Sequence, residues 1–133
     1  MFAQYSAVIS TIAIEIVVAT VIINFFMTWK GSEGSLKNNI AIRWFWVGAL
    51  NYFITCTQCA FQVTLTFQKI IHFTDWVVGH AHLVMFGVFS FWIYGMIDHL
   101  WPKLTGRDWW SYRLRLWHFW LTTLGLGGMF LVL

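Results

Sequence analysis

The chain has 133 residues, of which 59% are hydrophobic, 20% are aromatic and only 10% are charged. A soluble domain covers its water-facing surface with charged residues, which make up about a quarter of its sequence. So few charges exclude a soluble globular protein. The composition predicts an integral membrane protein that contacts lipid, and we expect no nucleic-acid partner.

Four apolar segments follow one another along the chain, each close to the 18 or more residues that a membrane-spanning helix needs. We predict transmembrane helices at about 5–28, 44–67, 76–100 and 116–133. The expected fold class is all-α, a polytopic bundle of four membrane-spanning helices in which residues 1–133 form a single membrane domain. Because the apolar runs reach both termini, we expect this domain to be part of a larger subunit.

Basic residues are concentrated in two of the three predicted connections. Seven of the eight cations lie there, in the first connection (Lys30, Lys37 and Arg43) and in the third (Lys103, Arg107, Arg113 and Arg115). The connection between the second and third helices holds only Lys69. By the positive-inside rule, the basic loops 29–43 and 98–115 are predicted to face the cytoplasm.

The third predicted helix carries two histidines, His80 and His82, in the run HFTDWVVGHAHLVMFG. Successive residues of an α-helix turn by about 100°, so these side chains point about 200° apart and cannot chelate one metal ion together. Three interpretations are open. The histidines form hydrogen bonds to neighbouring helices, they belong to a proton relay, or each binds the iron of a separate haem.

This run, followed by WPKL, resembles the tenth transmembrane segment of subunit I of the cbb3-type cytochrome c oxidases, which are haem–copper oxidases. The TDW before GHxH is closer to these oxidases than to the related nitric oxide reductases. The resemblance extends over all four helices, as segments VIII to XI of a larger bundle. It implies part of the catalytic subunit of a terminal oxidase in the bacterial inner membrane. Such an enzyme reduces oxygen to water with electrons from cytochrome c and translocates protons.

The resemblance also implies cofactors and ligands. His80 would be the proximal ligand of the high-spin haem b3, and His82 one axial ligand of the low-spin haem b. His72, Asp75 and Trp76 lie where the family contacts the haem propionates. Copper belongs to the parent enzyme, but its ligands lie on segments outside this chain. The expected partners are the remaining segments of subunit I and c-type cytochrome subunits, and the isolated segment is expected to be inactive.

Two polar residues of the other helices are candidates for a proton path. The family usually has a glutamate on segment IX, and the corresponding position here is Gln58, whose amide cannot ionise. Glu15, in the middle of the first helix, either lines a proton-uptake route or is a protonated, hydrogen-bonded structural residue. Asp98 is expected to be solvated at the cytoplasmic end of its helix, and His118 to be interfacial. Cys56 and Cys59 are expected to be small packing residues.

Two alternative functions stay open at this point. One is a fragment of the large subunit of a nitric oxide reductase, which shares the arrangement of two haems. The other is a non-enzymatic haem-binding membrane anchor. The number of haems bound would separate an enzyme segment from an anchor, because the anchor would bind one haem or none.

Overall fold

The computed structural model describes residues 2–31 and 34–132, and every regular element in these ranges is a helix. The helices are α1 (Phe2–Trp29), α2 (Ser35–Asn38), α3 (Ile40–Gln62), α4 (Leu65–Ile71), α5 (Asp75–Thr105) and α6 (Tyr112–Val132). The predicted all-α fold class is therefore confirmed. Residues 32 and 33 of the predicted loop 29–43, and residue 133 of the predicted fourth helix, lie outside the described residues.

Two of the helices, Gln4–Trp29 and Asp75–Thr105, are long and apolar enough to cross a membrane. The other long helices, α3 and α6, have 23 and 21 residues and are less apolar. Large apolar side chains are exposed on all four, among them Ile16, Phe61, Met85 and Leu124. Such a surface is stable in lipid and not in water, as expected for a helical membrane protein.

The structure differs from the predicted bounds most clearly at α3. This helix begins at Ile40, because the Asn39 side chain caps it by accepting from the backbone N–H of Ala41 at 3.0 Å. It ends at Gln62 and does not continue to residue 67. Thr64 adopts an extended conformation, and its hydroxyl donates to the Phe61 carbonyl at 2.8 Å. A threonine hydroxyl that donates to a backbone carbonyl competes with the backbone N–H groups that would continue the helix. The chain bends at this point, before α4 begins.

A stretch of π-helix over Leu83–Ser90 interrupts α5 directly after the histidine pair. Two backbone carbonyls in this stretch accept hydrogen bonds from side chains. The Gly87 carbonyl accepts from the Asn51 amide of α3 at 2.9 Å, and the Met85 carbonyl accepts from the Ser90 hydroxyl at 3.0 Å. Such widened turns displace backbone groups from their usual partners, and side chains then satisfy them.

The core lies between α3, α5 and α6 and is centred on Trp44. Only 1% of this residue is exposed, and its ring centroid lies 5.0 Å from those of both Phe91 and Phe119. α1 packs against α3 at the same end of the bundle, where Trp29 and Trp46 have centroids 4.2 Å apart. These contacts place the middle of α1, including Glu15, alongside the second half of α3.

Candidate functional site

His80 lies in the second turn of α5, half-buried, with its ring directed at α3. Its Nδ1 is 3.0 Å from Oε1 of Gln58. An amide oxygen only accepts hydrogen bonds, so Nδ1 carries the proton and Nε2 keeps its lone pair. Nε2 lies 3.4 Å from the Cys59 sulfur, whose thiol donates to it. A histidine fixed by a carbonyl acceptor at one nitrogen is oriented to bind a metal through the other.

A cavity of about 460 Å³ opens beside His80, between α1, α3 and the start of α4. Apolar side chains such as Val18 and Val63 form much of its wall, and both cysteines also line it. The half-buried Glu15 contributes its carboxyl group. Gln62 contributes a buried Oε1 that has no hydrogen-bond partner among the described residues. The structure therefore brings Glu15 and His80 to one cavity, with Gln58 bonded to His80 behind it.

His82 lies two residues further along α5 and has different surroundings. Its Nδ1 is 2.8 Å from the backbone carbonyl of Val78, one turn earlier in the same helix. A carbonyl oxygen only accepts hydrogen bonds, so Nδ1 of His82 also donates a proton. Among the described residues, His82 is not part of the cavity lining beside His80. Both rings thus donate from Nδ1 to a carbonyl oxygen, in different surroundings.

The other three candidates on this side of the bundle do not form one hydrogen-bonded group with His80. His72 is exposed, and its Nδ1 lies 3.1 Å from Nε2 of the Gln68 amide. It lines a separate cavity of about 540 Å³. Asp75 is the exposed first residue of α5. Trp76 is half-buried, and its indole N–H has no hydrogen-bond partner among the described residues. That N–H is a donor available to an anionic group.

The donor set fits a haem better than a bare metal ion. No group of three or more His, Cys, Asp or Glu side chains that could hold a metal ion occurs in residues 2–31 and 34–132. A haem iron, in contrast, is held by one or two axial protein ligands. His80 offers one unprotonated nitrogen at the edge of a largely apolar cavity, which suits such a ligand. The Cys59 thiol is the one contact that coordination at Nε2 would displace.

The sequence did not identify the polar cluster at the other end of α5. Asp98 accepts from Arg115 Nε of α6 at 3.1 Å and from the Trp44 indole of α3 at 3.2 Å. Its side chain is only 11% exposed, so the expectation that solvent alone surrounds it is wrong. His118 is exposed, and its ring packs on Trp44 with a centroid distance of 5.2 Å. The sequence feature that could have indicated this cluster was a carboxylate near the end of one predicted helix and an arginine near the start of the next.

All 133 residues match the family model described as Cytochrome C and Quinol oxidase polypeptide I. Cytochrome c oxidase subunit 1 of Rhodobacter capsulatus is 32% identical over 105 residues, which are 78% of this chain and 20% of that protein. The cbb3-type cytochrome c oxidase subunit CcoN1 of Stutzerimonas stutzeri is 32% identical over 104 residues, 77% of this chain and 22% of that protein. Cytochrome c oxidase subunit 1 of Thermostichus vulcanus is 33% identical over 126 residues, 92% of this chain and 22% of that protein.

The chain therefore spans about a fifth of the length of the curated relatives it matches. The family match nevertheless extends from the first residue to the last, and the all-helical, apolar structure agrees with it. The chain belongs to the family of cytochrome c and quinol oxidase polypeptide I.

Proposed function

We propose that this chain is part of the catalytic subunit of a cbb3-type terminal oxidase, which reduces oxygen to water with electrons from cytochrome c and translocates protons. Family membership supports a subunit I. The cbb3-type relative and the run TDWVVGHAH support the type. The parent enzyme contains haem b, haem b3 and copper, and it works with c-type cytochrome subunits. The copper ligands belong to segments outside this chain.

The observation that carries the proposal is that His80 and His82 are both held by a hydrogen bond from Nδ1 to a carbonyl oxygen. Each ring donates its Nδ1–H to a carbonyl oxygen, of Gln58 and of Val78 respectively, so Nε2 is the nitrogen that each would present to a metal. Their positions on α5 direct the two rings about 200° apart. We assign His80 as the ligand of haem b3 and His82 as a ligand of haem b, as the resemblance to the cbb3-type oxidases implies. When bound, these haems supply the electron transfer and the oxygen chemistry.

The surrounding residues orient ligands and move protons. Gln58 Oε1 accepts a hydrogen bond from Nδ1 of His80. This bond fixes the orientation of the ring and therefore the direction of Nε2. Glu15 is assigned to the proton path, because its carboxyl group lines the cavity beside His80. Trp76 offers a buried N–H to a haem propionate, with His72 and Asp75 in the same interfacial region.

We further propose that α1, α3, α5 and α6 all cross the bacterial inner membrane, with the two basic loops in the cytoplasm. The apolar surface of all four helices supports their insertion into lipid. The charge asymmetry of the loops supports the direction. His80 and His82 then lie within about two turns of the outer end of α5, where an external electron donor can approach.

The proposal is tested by replacing each histidine in the complete subunit, assembled in its membrane. His82→Ala removes an axial ligand of a six-coordinate haem, so we expect loss of the low-spin reduced-minus-oxidised spectrum. His80→Ala removes the ligand of the oxygen-reducing haem, so we expect altered carbon monoxide binding with the low-spin spectrum largely kept. His99→Ala is the matched control, because His99 is exposed and bonded only to Lys103 among its described contacts.

Haem content and membrane insertion are measured beside the spectra, so that a failure to fold is recognised. If both variants keep two haems with normal spectra, neither histidine is an iron ligand. The histidines then serve only as hydrogen-bonding groups between helices.

A further inference from the structure

The π-helical stretch Leu83–Ser90 determines how the two parts of α5 are oriented relative to each other. A widened turn inserts the equivalent of one extra residue into an α-helix. The helix beyond it is therefore rotated by about 100° and shifted by about 1.5 Å relative to an uninterrupted helix. The histidine-bearing part, Asp75–His82, lies directly before the stretch, and Phe91–Thr105 lies directly after it. The orientation of the histidines relative to the bundle core consequently depends on this stretch.

Asn51 of α3 stabilises the widened turn. In an α-helix the Gly87 carbonyl would accept from the backbone N–H of Phe91, but that N–H donates to Val88. The Asn51 amide donates to the Gly87 carbonyl at 2.9 Å, and Asn51 is only 9% exposed. A polar group buried in an apolar bundle is costly unless it is hydrogen-bonded. Asn51 and the displaced carbonyl therefore satisfy each other while the turn is wide.

Asn51 also acts together with Gln58. The two amides are seven residues apart on α3, which places them on one face two turns apart. Their partners on α5, Gly87 and His80, are also seven residues apart. α3 thus holds α5 at two points, one on each side of His82. The Ser90 bond to Met85 stays within α5 and cannot relate the two helices.

We propose that Asn51 is a positioning residue that stabilises the widened turn of α5 and so sets the angle at which His80 and His82 present their nitrogens to the two haems. This role rests on the proposed function of the histidines as haem ligands. Among the described residues, the Asn51 side chain is hydrogen-bonded to the backbone of α5 and to neither ring, and it acts through that backbone.

The test compares Asn51→Leu with Thr55→Val in the complete, assembled subunit. Leucine keeps the size of asparagine and removes the donor. Thr55 is a matched control because it is 4% exposed, lies one turn along α3, and bonds only within that helix. One readout is the set of electron paramagnetic resonance g-values of the low-spin haem, which report axial ligand orientation. The other is the distance between spin labels at residues 73 and 104, which flank the π-helical stretch and are 96% and 80% exposed.

We expect Asn51→Leu to shift the g-values and to change the label distance by at least about 1.5 Å, with Thr55→Val matching the wild type. The labels are introduced as a non-natural amino acid, which spares Cys56 and Cys59. An unchanged label distance in Asn51→Leu overturns the proposal, whatever the spectra show. A changed distance with unchanged g-values also overturns it, because the turn would then not orient the ligands.

If Asn51→Leu assembles without haem, the label distance in that haem-free protein is compared with that of haem-depleted wild type. A changed distance supports the proposed role of the turn, and an unchanged one overturns it. Failure of the haem assignment itself is recognised separately, from normal spectra in the His80→Ala and His82→Ala variants. The label distance does not depend on that assignment.

Discussion

At the residue scale, the contact between Gln58 and His80 is the most informative feature of the chain. The resemblance placed an amide at position 58 where relatives usually carry a carboxylate, and the structure puts that amide 3.0 Å from the imidazole. An amide oxygen orients the ring as a carboxylate would, but it is a weaker hydrogen-bond acceptor and polarises the Nδ1–H bond less. The imidazole is therefore a weaker electron donor to an iron than it would be beside a glutamate.

Gln58→Glu in the complete subunit should accordingly lower the midpoint potential of the haem that binds carbon monoxide. A carboxylate at Nδ1 raises the basicity of Nε2 and stabilises the ferric state. We expect a fall on the order of 60 mV, a tenfold change in a one-electron equilibrium. Redox titration in the absence of carbon monoxide, followed at the absorbance of the haem that later binds carbon monoxide, measures it. The neighbouring Thr57→Val, an exposed position on α3, is the control. A potential that rises or stays unchanged would contradict the assigned contact.

The sequence predicted His80 and Gln58 because a short motif and a family pattern mark them. It did not predict Asn51 or the Asp98 cluster. In the sequence, nothing distinguishes Asn51 from other polar residues of an apolar helix. Its partner is a backbone carbonyl, which a pattern of side chains does not predict. Asp98 lies 54 residues from Trp44, and only tertiary packing brings them together. Side-chain types and a motif thus identified candidate residues, whereas backbone partners and long-range contacts could not be predicted from them.

At the element scale, hydropathy located the four long helices but not their irregularities. The bend at Thr64 and the widened turn at Leu83–Ser90 both lie within uninterrupted apolar runs. At both places side chains donate to backbone carbonyls, and averaging hydropathy over a window of residues cannot detect such bonds. The start of α3 is different, because a residue type often found at helix N-termini marks it in the sequence. Asn39 caps the helix, which begins four residues before the predicted start.

The Asp98–Arg115 pair joins α5 to α6, and Asp98 also accepts from Trp44 of α3. Arg115→Leu leaves a largely buried carboxylate without its cation, so we expect the free energy of unfolding to fall by about 1–3 kcal/mol. Denaturant titration of the purified complete subunit in detergent measures the change. Combining Arg115→Leu with Asp98→Asn should restore part of the loss, because no unpaired charge then remains.

Arg113→Leu is the control for this pair, because it removes the same charge from an exposed position of α6. An equal loss of stability in Arg113→Leu would show that the net charge of the loop matters and the pairing does not.

At the scale of the whole molecule, the positions of the cations argue for one direction of insertion. A cysteine probe at Lys69 should react with a membrane-impermeant reagent added from outside, and one at Lys37 should not. Both positions are exposed, and the experiment uses the complete subunit with its native cysteines replaced. Labelling after the membrane is permeabilised confirms that the protected site is reactive. The reverse pattern would place the basic loops outside, and with them the far end of α5.

The length of α5 has a consequence for how deep the two proposed haem ligands lie in the membrane. Its 31 residues span about 46 Å at 1.5 Å per residue, against a hydrocarbon thickness of about 30 Å. The surplus must be taken up by tilt or by turns that project into the headgroup layer. The Asp98 contacts hold one end of the helix against α3 and α6, and the Gln58 contact with His80 holds the other end against α3, so the helix tilts as one unit with the bundle. A bilayer of different thickness would therefore alter the depth of His80 and His82 together, without changing the spacing between them.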